Sequence, residues 1–354
     1  MKMNATMSAA KRLLLSALIV ISAASCVHQW PEPAEADFVL SLEFPGEMPQ
    51  GPTHELDTRA SDKAEDYDVR YIVEAYEKLN DGSYNETEAY ARFEFSQDDV
   101  KTLGKSLSLR LMEGEYRFRV WVDYIDSETA APVFYNADNL RYIKLFGRDE
   151  GIKHVGNNDF RDAFTGCIDT EIVRFGGNHA PSSATVQMYR PLSKVVFITN
   201  DLDDWITKVV VNRLEMLSQS GQLSSSEEIM HVDLDDYTVK VIYPQYMPNA
   251  FNLETDRTAW SDVNVSFESK LIKMSETEAA MGFDYVFANE EDPKVVMAVS
   301  LHSKDGTQLA RSIDVTVPLE RGKVTTVKGS FLLEESDGGV SINPDFDGEF
   351  NIVI

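Results

Sequence analysis

The sequence predicts an all-β protein built from β-sandwiches, and three features support this prediction. First, many short segments alternate apolar and polar residues with a period of two, which is the pattern of half-buried strands. Second, clusters of Gly, Pro, Asn and Asp separate these segments and indicate turns. Third, long amphipathic helical patterns are scarce. Many short strands with turns between them are typical of sandwiches.

The first predicted strand, residues 37–44, shows the alternation clearly. Phe38, Leu40 and Leu42 fall on one face, and Ser41 falls on the other. Further strands are predicted at 69–79, 91–95, 106–112, 115–125, 134–145, 166–175, 184–190, 194–199, 205–214, 237–243, 263–272, 282–288, 295–303, 311–319, 323–333 and 348–354. Residues 214–229 are expected to hold a single helical turn or a serine-rich loop.

Two hairpins are predicted from turn residues. Glu113-Gly114 separates the strands at 106–112 and 115–125, and Lys304-Asp305-Gly306 follows the strand at 295–303. In the segment 115–125, apolar residues alternate with Arg and Trp, so one face is expected to be buried.

The first 25 residues have the three-part layout of a secretory signal. Three basic residues precede the apolar run at 13–24, and small residues lead to Cys26. The run has 12 residues, whereas a helix needs about twenty to cross a bilayer core. An ordinary secretory signal with an incidental cysteine is the alternative interpretation.

The residues around this cysteine resemble the cleavage box of bacterial lipoproteins. They read Ala23-Ala24-Ser25-Cys26, with Ala23 where the usual pattern has Leu. The resemblance implies cleavage between Ser25 and Cys26, and acyl chains such as palmitate carried through the Cys26 thiol. Two or three chains, at about 0.8 kcal/mol per buried methylene, anchor a protein firmly. Residues 26–35 are then a short lipidated tether.

Length and composition suggest how the remaining chain is divided. Removal of residues 1–25 leaves 329 of the 354 residues, which suggests two domains, with one large β-domain as the alternative. A run of Gly, Asn and Pro at 176–181 breaks the strand pattern. We predict an N-terminal sandwich at 36–185 and a C-terminal sandwich at 186–354. One continuous sandwich with a long insertion is the alternative.

The charge excludes several partners. The net charge is −26, and it becomes −29 when the three basic residues of the signal are removed. A nucleic-acid-binding protein needs Lys and Arg to neutralise phosphates, so no nucleic acid is expected as a partner. A basic face for anionic lipid is not expected either. The acidic charge is consistent with solubility outside the cell.

No residue pattern in the sequence points to catalysis or to metal binding. The six histidines are scattered without zinc-ligand spacing, and no Gly-x-Ser-x-Gly motif occurs. The chain has two cysteines, Cys26 and Cys167, so acylation of Cys26 leaves Cys167 without a disulfide partner. Cys167 is predicted to be a small buried hydrophobic residue. We predict no catalytic residue, no metal and no cofactor, and a protein that is not an enzyme.

Four short phrases in the sequence carry a family resemblance. They are RPLSK at 190–194, FDYVF at 283–287, VPLER at 317–321 and FDGEFNI at 346–352. In this order and spacing they resemble the fimbrillin-like lipoproteins of Bacteroidales, a group that includes FimA-type and Mfa-type fimbrial subunits. The resemblance covers nearly the whole chain and is strongest from residue 190 onward.

The resemblance implies a fold and a route of assembly. The fold would be two transthyretin-like β-sandwiches in tandem. In polymerising members, an arginine-specific protease cuts a loop after the first strand, and a strand of a neighbouring subunit fills the vacated groove. The counterpart here is Arg59-Ala60, with an ordinary exposed loop arginine as the alternative. Residues 348–354 are the candidate donor strand, and a strand paired within its own domain is the alternative.

The resemblance further implies a surface protein of the outer membrane: a fimbrial subunit, an anchor or an accessory adhesin. Its expected partners are the membrane, through the acyl chains, and other fimbrial subunits or surface ligands. A surface lipoprotein that binds glycans or other ligands is the alternative function. Exposed aromatic residues would distinguish it, and the four tryptophans are Trp30, Trp121, Trp205 and Trp260.

Overall fold

The computed structural model describes residues 35–46, 64–98, 103–147, 151, 153–173, 181–220, 229–291, 293–333, 341–343 and 349–353. The strands of this part are β1 (Glu35–Glu43), β2 (Tyr67–Glu77), β3 (Ala91–Gln97), β4 (Lys105–Met112), β5 (Gly114–Asp126), β6 (Tyr135–Asn136), β7 (Ile143–Leu145), β8 (Phe164–Ile172), β9 (Ser182–Gln187), β10 (Leu192–Thr199), β11 (Tyr237–Asn252), β12 (Arg257–Lys270), β13 (Ile272–Lys273), β14 (Ala279–Phe287), β15 (Lys294–Ser303), β16 (Gln308–Arg311), β17 (Val315–Pro318), β18 (Val324–Gly329), β19 (Ser341–Asn343) and β20 (Glu349–Val353). One α-helix, α1 (Leu202–Ser220), accompanies them in the described residues. The all-β prediction is confirmed.

Two sheets from the first half of the chain face each other. One has the strand order β4-β1-β9 and the other has the order β3-β2-β5-β8. Their apolar faces form a common core, in which the rings of Phe38 on β1 and Phe118 on β5 stack with centroids 5.3 Å apart. The alternation predicted for the first strand is confirmed, since Phe38, Leu40 and Leu42 are buried.

The predicted hairpin at Glu113-Gly114 is wrong. β4 pairs with β1, whereas β5 pairs with β2 and β8, so the chain crosses from one sheet to the other between β4 and β5. The buried leucines of β4 and, on β5, Tyr116 and Phe118 both point into the shared core. A strand from far upstream, β1, therefore occupies the position that a hairpin partner would have taken.

The hairpin predicted at Lys304-Asp305-Gly306 is confirmed. β15 and β16 pair antiparallel across it. The Gly306 amide donates to the Ser303 carbonyl at 2.8 Å, and Gly306 has a φ of +86°, which glycine adopts without steric cost.

Two larger sheets contain the second half of the chain. One has the order β13-β14-β10-β18-β20-β19, and the other follows β16-β15-β11-β7-β6, with β12 paired to β11 and β17 paired to β15. A second apolar core joins their residues. β6 and β7 precede residue 150 in sequence, yet they extend the sheet of β11. The predicted domain boundaries, 36–185 and 186–354, stay a prediction.

The strand predicted at 205–214 is wrong, because this segment lies in α1. The valines at 209–211 produced the error, since β-branched residues favour strands. Leu202 and Trp205 are three residues apart, and they are the buried residues of the helix. Acidic residues at 203 and 204 lie in the first turn, where the helix dipole favours negative charge.

The prediction that Cys167 is buried is wrong, because Cys167 is exposed on β8. Phe164 and Ile172 on the same strand face the first core. Cys167 is an odd number of residues from both, so the period of two places it on the opposite face with Asp169.

The second face of β5 is also covered. Arg70 on β2 makes two hydrogen bonds to Asp123 on β5, from Nε to Oδ1 at 2.8 Å and from Nη2 to Oδ2 at 2.7 Å. Trp121 Nε1 donates to Asp123 Oδ2 at 3.0 Å, and Arg70 Nη2 donates to the carbonyl of Tyr135 at 3.3 Å. Since Tyr135 lies in β6, this buried polar layer connects the four-stranded sheet to the sheet of β11.

Candidate functional site

The four residues that the sequence assigns to processing are Ser25, Cys26, Arg59 and Ala60. All four lie outside the described residues. The described strand β1 lies between them in sequence, after the predicted lipid attachment and before the predicted cleavage loop. Its position in the fold therefore decides what cleavage would do.

β1 is the middle strand of its three-stranded sheet. It pairs antiparallel with β4, where Leu40 is opposite Leu107, and parallel with β9, where Leu40 is opposite Ala184. Every second residue of β1 enters the core; Ala36, Phe38, Leu40 and Leu42 are at most 5% exposed. Removal of β1 would leave a groove with a free strand edge on each side and an uncovered apolar floor.

The described residues contain a second candidate site, a cavity of about 570 Å³ beside β12. Residues 262–268 of β12 form one wall, together with Met247 and Asn249 of β11. Residues 145–147, 151 and 153–156, which lie outside β11 and β12, also line the cavity. β12 pairs with β11 through one edge, and it has no other strand partner in the described part of the chain. The cavity therefore follows the open side of a long edge strand.

Two glycines of the lining lie near β12. A Cβ added to Gly156 would be 2.2 Å from the ring of Phe267, so only glycine fits there. A Cβ added to Gly147 would be 3.8 Å from Asp262 Oδ2, which is an ordinary van der Waals distance. The segment at Gly156 is therefore packed directly against β12.

A buried polar cluster lies behind the cavity wall at His154. His154 Nε2 is 2.7 Å from Asp284 Oδ2, and Tyr243 Oη donates to the same oxygen at 2.6 Å. Arg161 forms an ion pair with Asp284 Oδ1 and donates to the carbonyl of Val155 at 2.6 Å. This cluster fixes the segment 153–161 against β11 and β14.

Burial acts differently on the two titratable partners of this cluster. Burial lowers the pKa of His154 below its ordinary value, and the carboxylate of Asp284 offsets only part of this effect. Burial alone would raise the pKa of Asp284, but the charge of Arg161 and the hydrogen bonds from His154 and Tyr243 outweigh it and hold that pKa below its ordinary value. His154 is therefore neutral near pH 7.

The lowered pKa of His154 predicts a pH dependence of stability. The unfolded chain takes up a proton at His154 near pH 6.5, whereas the folded protein takes it up only at lower pH. The unfolded state then binds more protons, so the free energy of unfolding falls as the pH drops from about 7 through 6.5. Urea titrations between pH 7.5 and 5 measure this slope. His154→Gln should flatten it, and an unchanged slope in this variant would contradict the assignment.

The cavity residues were not assigned from the sequence. They come from residues 145–147, 151 and 153–156, from Lys240, Met247 and Asn249, and from residues 262–268, and only the fold brings these segments together. The glycines at 147, 151 and 156 were the available signal, since glycine marks close approach of the backbone. In the sequence, His154 is one of six scattered histidines without zinc-ligand spacing.

The tryptophans differ in exposure. Trp121 and Trp205 are buried, and Trp260 on β12 is 58% exposed. Tyr246 on the paired strand β11 is 68% exposed. Trp30 lies outside the described residues.

Neither a membrane-spanning helix nor a metal-binding cluster is found among the described residues. None of the helices described is both long and apolar enough to span a bilayer. Within the same residues, no group of three or more His, Cys, Asp or Glu side chains is arranged to hold a metal ion.

Comparison with known proteins gives a family and a number of distant structural similarities. A model described as a family of unknown function, DUF6562, matches residues 33–354. No curated protein matches the chain by sequence. The chain is similar to the fimbrial anchor protein Mfa2 from Porphyromonas gingivalis, at 12% identity over 78% of this chain and 82% of that one, with a TM-score of 0.40. It is also similar to a fimbrial assembly protein from Parabacteroides distasonis, at 13% identity over 84% of this chain and 91% of that one, with a TM-score of 0.37. At this level of similarity, no residue role or partner transfers from either protein.

Proposed function

We propose that this protein has a structural or adhesive role at the bacterial cell surface. The chain belongs to the DUF6562 family of unknown function. The protein is a non-catalytic lipoprotein of the outer membrane, held by acyl chains on Cys26, and acts as a fimbrial subunit, an anchor or an accessory adhesin. The lipoprotein cleavage box, the sandwich architecture and the fimbrillin-like phrases support this proposal together.

The single observation that carries the proposal is the central position of β1. A strand that is bonded on both edges leaves a strand-shaped groove when it is removed, and another chain can fill that groove through main-chain hydrogen bonds. Each large apolar side chain that leaves the core gives up about 1.5–3 kcal/mol of burial. The open groove is therefore unstable until a new strand enters, and this instability is what drives assembly by strand exchange.

The intact chain favours the anchor or accessory role over the subunit role. β1 fills its groove, and the C-terminal strand β20 pairs parallel with β18 and antiparallel with β19. The candidate donor strand is thus paired with strands of its own chain. This arrangement corresponds to the alternative for residues 348–354, a strand paired within its own domain. A polymerising subunit would arise only after cleavage at Arg59-Ala60 and release of β20.

Membrane fractionation and mass spectrometry of the mature N-terminus test this proposal. We expect chains from the outer membrane to begin at acylated Cys26. Replacement of Cys26 by Ser should move more than about nine-tenths of the protein out of the membrane fraction, because the acyl chains are lost. Cys167→Ser is the matched control, since it removes the only other cysteine and should leave the protein in the membrane.

The N-terminus also separates the two structural roles. A start at Ala60 in fibre-associated material would favour a cleaved subunit, and Arg59→Ala should then abolish this form. A chain that starts at an unmodified Cys26 and is never found with membranes or fibres would refute the proposal.

A surface lipoprotein that binds glycans or another ligand is the second candidate function. The exposure of Trp260 and Tyr246 on neighbouring strands supports it, because sugar rings pack on exposed aromatic faces. The cavity lies along the same pair of strands.

A further inference from the structure

We propose that the cavity beside β12 is a binding site for a neutral saccharide of one or two rings. This inference deepens the second candidate function by giving it a site and a ligand class. The volume of the cavity, about 570 Å³, lies within the range of about 300–1,000 Å³ that is usual for small-ligand sites. A cavity of this volume accommodates a compact molecule of one or two sugar rings.

The charges of the lining favour a neutral ligand. Lys153 and Lys240 contribute two positive charges, and Asp262 and Glu268 contribute two negative charges. An anion would meet the carboxylates, and a cation would meet the ammonium groups. A sugar hydroxyl both donates and accepts hydrogen bonds, so it can use donors and acceptors of either sign.

Asn249 supplies a second, independent reason to expect a ligand with hydroxyl groups in this cavity. Its side chain lines the cavity, and the residue is 3% exposed. Nδ2 donates to Asp262 Oδ2 at 2.6 Å, and this contact fixes which end of the amide is the oxygen. Asn249 Oδ1 is buried and has no hydrogen-bond partner among the described residues. A buried acceptor without a donor costs about 1–3 kcal/mol. A ligand hydroxyl that enters beside Asn249 would remove this cost.

The remaining surface suits the C–H faces of a sugar ring. Phe146, Met247 and Val265 line the same cavity and present apolar atoms next to the polar groups. Sites for small molecules combine such an apolar lining with a few placed polar groups. The pair Asn249 and Asp262 provides adjacent oxygens, which match hydroxyl donors on neighbouring carbons of one ring.

Binding of defined monosaccharides and disaccharides to the full-length chain in detergent tests this inference. The probes are neutral monosaccharides and disaccharides of glucose, mannose and galactose, with galacturonate as the anionic probe and glucosamine as the cationic probe. We expect at least one neutral probe to bind. Asp262→Ala should raise its Kd at least tenfold, and Ser266→Phe, which narrows the cavity, should do the same.

Asp235→Ala is the matched control. Asp235 forms a surface ion pair with Lys270 of β12, and its side chain is 74% exposed, so its removal should change Kd by less than twofold. Circular dichroism establishes that each variant is folded. The inference is overturned if no neutral probe binds, if only a charged probe binds, or if Asp262→Ala and Ser266→Phe both bind like the unmodified protein. None of these outcomes affects the fractionation of Cys26→Ser, so a failure here is distinct from a failure of the surface-lipoprotein proposal.

Discussion

Replacing Asp123 by Ala should lower the free energy of unfolding by about 3–5 kcal/mol, because it leaves the charge of Arg70 buried without its partner. Arg70 is 4% exposed, and both of its hydrogen bonds to Asp123 are shorter than 2.9 Å. Trp121 Nε1 also loses its acceptor. The loss is measured as a shift of the urea midpoint by circular dichroism.

The matched control for this variant is Glu94→Gln. Glu94 also pairs with Arg70, at 3.8 Å, but its side chain is 51% exposed. Exposed pairs contribute about 0–1 kcal/mol, so the midpoint should hardly move. Equal effects of the two variants would mean that the Arg70–Asp123 pair is not shielded from water, and that the polar layer between the sheets of β5 and β6 does not stabilise the fold.

The second large effect is expected at the centre of β1. Leu40→Ala should cost about 2–5 kcal/mol, which is the usual range for truncation of a fully buried leucine. Leu40 is 0% exposed, and it lies between Leu107 of β4 and Ala184 of β9. The same urea experiment measures the loss.

Ser41→Ala is the matched control, since Ser41 is the next residue on the strand and faces away from the core. It hydrogen-bonds to Ser106 at 3.1 Å in an exposed position, and its loss should change stability by no more than about 0.5 kcal/mol. If Leu40→Ala behaves like Ser41→Ala, β1 is not part of the core. Removal of β1 would then expose no groove, and the strand-exchange step of the proposed function would lose its driving force.

The fold was predictable where local pattern and burial agree. The face of β1 with Phe38, Leu40 and Leu42 follows from a period of two, because alternate side chains of a strand share one face. The helix α1 was mistaken for a strand because local propensity at 209–211 outweighed the helical spacing of Leu202 and Trp205. Propensity is a weak guide where the buried face has few residues.

The candidate sites also differ in whether the sequence alone could predict them. The lipid attachment at Cys26 and the cleavage at Arg59 rest on short contiguous segments, and both stay predictions of the sequence. The cavity rests on Asn249, Asp262 and His154, which are up to about one hundred residues apart. No local pattern marks such a set, because its members need only be close in space.

The sequence alone determined that this chain forms strands and which side chains of each strand lie together. Only the tertiary structure decided that β1 rather than β5 pairs with β4. It likewise decided that the face of β5 with Trp121 and Asp123 is covered by β6. The physical reason is that alternation is a property of a single strand, whereas edge pairing and the covering of a second face depend on contacts between residues far apart in the chain.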